Sequence, residues 1–171
     1  MSSSVDRVAR IQREWAKERP DVDVRPQGVI GRLHRLAAVL TAELVVVYDK
    51  HDLTEGEFDV LAALRRAGEP FERAPGELAA FTMVTTGAMT KRVDRLIRAG
   101  LVTRRISDDD ARGRVVALTA KGLALIDLVF PEHMDNERRL LGVFTERERG
   151  QLESLLTKWL AQFEDQPGQE G

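Results

Sequence analysis

The chain has 171 residues, 43% of them hydrophobic and 32% charged, with a formal net charge of −2 and no cysteine. That is the size and make-up of one globular domain with a real core, and it excludes disulfides, thiolate zinc sites, iron–sulfur clusters and thiol-based redox sensing. Residues 1–19 are too charged for a signal peptide, and no later stretch approaches a membrane span of about 18 uncharged apolar residues, so a soluble cytoplasmic protein is expected.

Val8, Ile11 and Trp15 recur at helical spacing, which predicts an amphipathic helix over 4–18 that stops before Pro20. After an extended link the series Val29, Leu33, Leu36, Leu40, Leu44 and Val47 predicts a long second helix over 28–50. Thr54 and Glu57 form the T-x-x-E capping box of a third helix, which runs to a stop at Gly68. Pro75 suits the first turn of a short fourth helix over 76–80, and Thr85 or Thr86 can cap a fifth that ends at Gly100. The period then shifts toward two: 101–106 and 114–118 flank a polar tip and predict a β-hairpin. Thr119 opens a sixth helix, expected to bend or break at Pro131, and a second capping box, Thr145 with Glu148, opens a seventh. The last helix carries the stripe Leu152, Leu155, Leu156, Trp159, Leu160 and Phe163.

Helix, short helix, helix and hairpin is the order of a winged helix-turn-helix. The predicted fold is therefore mainly α with a small β-hairpin wing: N-terminal helices over 1–52, a DNA-binding winged unit over 53–118 and C-terminal helices over 119–171. A unit of about 70 residues cannot bury the stripes of all three terminal helices. Their surplus apolar surface is expected to close on a second copy, the alternative being an intramolecular helical cap.

The small net charge hides a local asymmetry. Between Thr85 and Leu118 eight basic residues face four acidic ones, a local +4 that leaves −6 for the rest of the chain. A basic face on an acidic body suits docking on phosphates, although charge alone leaves a merely solvated surface open. Along the fifth helix Met89, Val93, Leu96 and Ile97 fall on one face, and Lys91, Arg95 and Arg98 project from the opposite one. Thr86, Thr90 and Lys91 lie at the end that leads into a major groove and are the candidates for base-edge contacts. Arg95 and Arg98 are candidates for phosphate.

The hairpin carries Asp110, Arg112, Val116, Leu118 and Thr119 in the pattern D-x-R-x-x-x-V-x-L-T. With the run Gly76-Glu77-Leu78-Ala79 and the helix before it, this resembles the multiple antibiotic resistance regulator (MarR) family of winged-helix transcription factors, closely over 53–122 and more loosely in the flanking helices. The resemblance implies that Asp110 pins the wing tip while Arg112 reaches into a minor groove, with Arg114 a second phosphate or groove contact. Ala74 departs from the Ser or Thr cap usual in relatives, which is expected to weaken the fourth helix slightly.

Arg92 lies on the rim of the inward face, and Asp59 sits in an apolar run with no cation at helical spacing. A carboxylate so placed needs a tertiary partner or a shifted pKa, and Arg92 and Arg104 are the candidates. Trp15, Asp59, Arg92 and Arg104 match the positions that mark the urate-responsive branch of the family. The resemblance implies an anionic purine-like or aromatic ligand that contacts Trp15 and Arg92 and displaces Asp59 from Arg104. A purely structural ion pair is the alternative.

His34, His51 and His133 lack ligand spacing, so no metal or cofactor is expected, and no arrangement of an enzyme active site can be argued. The expected function is a homodimeric repressor of a pseudo-palindromic operator on double-stranded DNA, released by a small anion. The rivals are a regulator with a phenolic ligand or none, and a winged-helix adaptor that binds an acidic protein.

Overall fold

The computed structural model describes residues 6–82, 85–106 and 113–164, without the side chains of Phe81 and Thr86. Among the described residues seven helices and three strands run in the order α1 (Arg7–Glu18), α2 (Gln27–Asp49), α3 (Glu55–Arg65), β1 (Glu72–Arg73), α4 (Pro75–Phe81), α5 (Thr86–Arg98), β2 (Val102–Ile106), β3 (Arg114–Leu118), α6 (Ala120–Leu140) and α7 (Glu146–Glu164), with a short 3₁₀ turn at Leu141–Val143. No described helix is long and apolar enough to cross a membrane.

Local chemistry sets the helix starts. Asp6, Thr54, Thr85 and Thr119 each cap the following helix by accepting a backbone N–H. Ala74 cannot do so, but the Glu77 carboxylate still accepts the Ala74 N–H at 3.0 Å, half of a capping box. α5 ends on Gly100, whose φ of +71° is a conformation that favours glycine. There the Gly100 N–H bonds to the Ile97 carbonyl and the Leu101 N–H to the Leu96 carbonyl, both at 2.9 Å, the paired closure of a Schellman motif.

In the fold, the structure adds one strand to the predicted hairpin and keeps whole a helix expected to bend or break. The wing is a sheet of three strands in the order β1-β3-β2, all antiparallel, because Glu72 and Arg73 pair with Ala117 and Val116 on the free edge of the hairpin. Two residues are too short to show an alternation. α6 also runs unbroken through Pro131: proline removes one helical hydrogen bond, but Ile126 and Val129 before it and His133 after it are buried and keep both halves against the core.

The core lies where α3, α4, α5, β3 and α6 meet, around Val60, Leu61, Leu64, Leu78, Met89, Val93, Leu96, Val116, Ile126 and Val129. A cross-brace ties the end of α5 to the start of α6. Thr119 donates its hydroxyl to the Gly100 carbonyl at 2.8 Å, its N–H goes to the Leu101 carbonyl at 3.0 Å, and Lys121 donates to the Ala99 carbonyl at 2.9 Å. Gly122 lies so close to Leu101 that an added Cβ would stand 1.9 Å from that carbonyl oxygen.

Outside this unit much apolar surface is uncovered, although Val8 of α1 and Val47 of α2 are buried. α7 contributes no buried residue, and Leu155 and Phe163 are 66% and 65% exposed. With Leu152, Leu156, Trp159 and Leu160 they belong to an open apolar face, most of which lines a groove of about 580 Å³. Val29, Leu36, Val39 and Val46 of α2 are exposed as well.

Candidate nucleic-acid interface and effector cluster

α5 is amphipathic in the predicted sense: Met89, Val93 and Leu96 are buried and Ile97 half-buried, while Thr90, Lys91, Arg95 and Arg98 are exposed. Thr86 is its first residue. Arg114 is exposed at the start of β3. Arg112, with Asp110, lies outside the described residues, as does the Thr86 side chain.

Not every cation on this face carries an unmatched charge. Arg95 donates through Nε to Glu57 Oε1 at 2.9 Å, and Arg104 donates to Asp94 at 2.7 Å. Arg105 pairs with Glu72. Arg98 donates Nε to the Asp94 carbonyl at 3.3 Å, leaving its charge unmatched by that contact. The basic face therefore rests chiefly on Lys91, Arg98 and Arg114 among the described residues.

Arg92 and Asp59 lie near the same stretch of α3, with no ion pair between them among the described contacts. The Arg92 guanidinium lies flat on the first turn of α3, where a Cβ on Gly56 would stand 2.3 Å from its Cζ. Its Nη1 is buried and has no hydrogen-bond partner. Asp59, one turn further along α3, feels the positive charges of Arg92, Arg66 and His133. Burial and the neighbouring Glu55 outweigh them and hold its carboxyl above the usual aspartate value.

The other two are elsewhere. Arg104 has Asp94 as its partner in place of the expected Asp59, because the outward side chains of β2 run back along the exposed flank of α5 rather than toward α3. Trp15 is 50% exposed and lines a separate cleft of about 390 Å³ with Arg19, Val22, Val24, Pro26 and Gln27.

Two features lie beyond the site residues expected from the sequence. Tyr48 of α2 stacks on Phe58 at 4.4 Å and its hydroxyl meets His133 Nδ1 at 3.0 Å, so α2, α3 and α6 join through a buried polar contact. Burial, with the charges of Asp59 and Glu55 behind it, pushes the Tyr48 phenol well up. The second is the Glu57–Arg95 pair. Among the described residues no group of acidic and histidine side chains could hold a metal ion.

A three-helix core, a sheet beside it and an exposed basic helix define a winged helix-turn-helix protein. Residues 51–113 match the family model described as MarR family. The chain is 40% identical over 149 residues to the transcriptional regulator PecS of Dickeya dadantii (strain 3937), covering 87% of this chain and 90% of that one. It is similar to a mutant MarR from E. coli solved in complex with operator DNA (TM-score 0.69, 30% identity, 81% of this chain and 99% of that one). The fold is shared with AbsC, a MarR family transcriptional regulator from Streptomyces coelicolor (TM-score 0.77, 23% identity, 85% and 98%). The chain belongs to the MarR family.

Proposed function

We propose that the chain is a homodimeric transcriptional repressor that binds a pseudo-palindromic operator through α5 and the wing and is released by a small anionic ligand, urate-like or aromatic. The helices of 1–52 and 119–171 form the dimer and 53–118 the DNA-binding unit. Operator binding is supported by the MarR complex with operator DNA and by the exposed Lys91, Arg98 and Arg114. Thr86, Thr90 and Lys91 take base edges, Arg95 and Arg98 take phosphate, Arg112 takes the minor groove, and Arg114 is a second phosphate or groove contact.

The observation that carries the sensor is the buried, unbonded Nη1 of Arg92 beside a carboxyl that burial disfavours as an anion. An unmet guanidinium donor in a protein interior costs free energy. A ligand anion supplies the acceptor that Asp59 does not, and because Arg92 is part of α5, its binding energy acts directly on the helix that meets DNA. Trp15 joins this site only if α1 moves relative to its present cleft.

Asp59→Asn tests the sensor. A carboxyl whose folded pKa is raised contributes stability that is present below the ordinary aspartate pKa and lost as pH rises through the folded value. The neutral amide escapes that loss, so at pH 7 the variant is expected to melt no lower than the wild type. Release of a labelled operator by urate, followed by anisotropy, should be weakened. Undiminished release would exclude Asp59 from the switch, and release by salicylate but not by urate or xanthine would favour the phenolic reading.

Salt dependence separates this function from an adaptor that binds acidic proteins. A dimer that neutralises about six to ten phosphates should lose about 10³ to 10⁵-fold in duplex affinity between about 50 and 200 mM salt. Absence of duplex binding at low salt would favour the adaptor.

A further inference from the structure

Glu57 is 4% exposed, and Glu57 and His133 are the buried polar side chains among the described residues. Capping alone does not explain so deep a carboxylate. The chain holds two other glutamates at the same position of a helix start, Glu77 of α4 and Glu148 of α7, and both are exposed and cap without reaching another helix. Glu57 does both. Its Oε2 accepts the Thr54 N–H at 2.9 Å and the Thr54 hydroxyl at 2.7 Å, while Oε1 takes Arg95 Nε at 2.9 Å. Arg95 itself is an outer residue whose side chain is 54% exposed. One carboxylate therefore joins the first turn of α3 to an arginine on the outward side of α5. One turn back, Arg92 lies on Gly56 of the same first turn.

We infer that Glu57 is a positioning residue for sequence-specific DNA binding: it presents the Arg95 guanidinium to one phosphate in a fixed geometry and removes its charge from indiscriminate attraction to duplex DNA. The inference rests on the reading of α5 as the helix that meets DNA.

A free arginine surrenders rotamer freedom when it binds phosphate, and a guanidinium already held at Nε surrenders less while its two Nη groups still carry donors. Sequence-independent affinity comes from net cationic charge and counterion release, to which an arginine matched by a buried carboxylate contributes little. Glu57 thus favours the registered complex over the unregistered one.

The test uses the full chain, a duplex enriched by the wild type from a randomised library, and a random-sequence duplex. Glu57→Gln keeps the T-x-x-Q capping box and so the start of α3, but frees the Arg95 charge. Affinity for the enriched duplex should fall roughly tenfold while that for random duplex rises, with a log–log salt slope on random duplex steeper by about one per subunit. Arg95→Ala, at an exposed position that needs no repacking, should weaken binding to the enriched duplex and leave the slope on random duplex unchanged; a slope shallower by about one would show Arg95 to be a free cation and overturn the inference. In the Arg95→Ala background Glu57→Gln should change the ratio of the two affinities no further, and an additive loss would place Glu57 outside this pathway. Lys91→Ala distinguishes the failures. If it weakens both duplexes while Glu57→Gln leaves their ratio intact, the inference alone falls; if it weakens neither, the reading of α5 falls with it.

Discussion

Gly122→Ala is expected to destabilise the protein by about 3 kcal/mol or more, although alanine is the better helix former by roughly 0.5–1 kcal/mol. The sign is decided by what the new methyl group meets. At 1.9 Å it would overlap the Leu101 carbonyl oxygen, and its next neighbours are the carbonyl carbon and Cα of the same residue. No side chain can swing aside; the backbone must. That carbonyl already accepts the Thr119 N–H, and the Gly122 N–H is held by the Thr119 hydroxyl at 3.0 Å. Moving either partner breaks the brace between α5 and α6 and opens the core beneath it, where Leu101 is buried. For a chain of this size the melting temperature should drop by roughly 6–12 °C. A variant that melts within a degree of the wild type would show that α6 can back away from Leu101 at no cost.

Leu156→Asp carries the second large expected effect, on association of the proposed dimer rather than on folding. α7 has no buried residue, so the substitution removes nothing from the core of the winged unit. The stripe through Leu155, Leu156, Trp159, Leu160 and Phe163 is nevertheless too apolar to remain in water. Each of these side chains contributes about 1.5–3 kcal/mol when buried, and an unpaired carboxylate among them costs several. The dimer dissociation constant should rise at least about a thousandfold, with operator affinity falling in step because the half-sites are no longer bound together. Sedimentation measures the first and anisotropy the second. A Leu156→Asp chain that stayed dimeric would move the interface away from α7, and a wild type that sedimented as a monomer would remove the dimer altogether.

The helices were legible because each carries a long apolar stripe, and their starts because a Ser/Thr/Asp cap has a short-range signature. The inward face of α5 follows from the spacing of Met89, Val93 and Leu96 alone. What was not legible depends on distant partners. Glu72 and Arg73 become a strand only because β3 offers an edge. Arg104 has two carboxylates that charge arithmetic cannot tell apart, and the path of β2 selects Asp94. Trp15 shares its helical spacing with Val8 and Ile11, yet it opens onto a cleft of its own. Glu57 did carry a signal: it falls on the stripe of Val60, Leu61 and Leu64, all buried, so its carboxylate had to face inward and find a cation. A reading that stops at the capping box hides that demand.

The brace at Gly100 and Thr119 has a mechanical meaning. α6 spans Ala120–Leu140, about 30 Å at 1.5 Å per residue, and its first turn is fastened to the end of α5. α5 is thus carried at one end of a stiff rod whose other end, about 30 Å away, lies near α7. A tilt of roughly 5° at the far end would swing α5 by about 3 Å over that length. Two such swings in opposite senses would put the reading heads out of step with the roughly 34 Å repeat of the double helix.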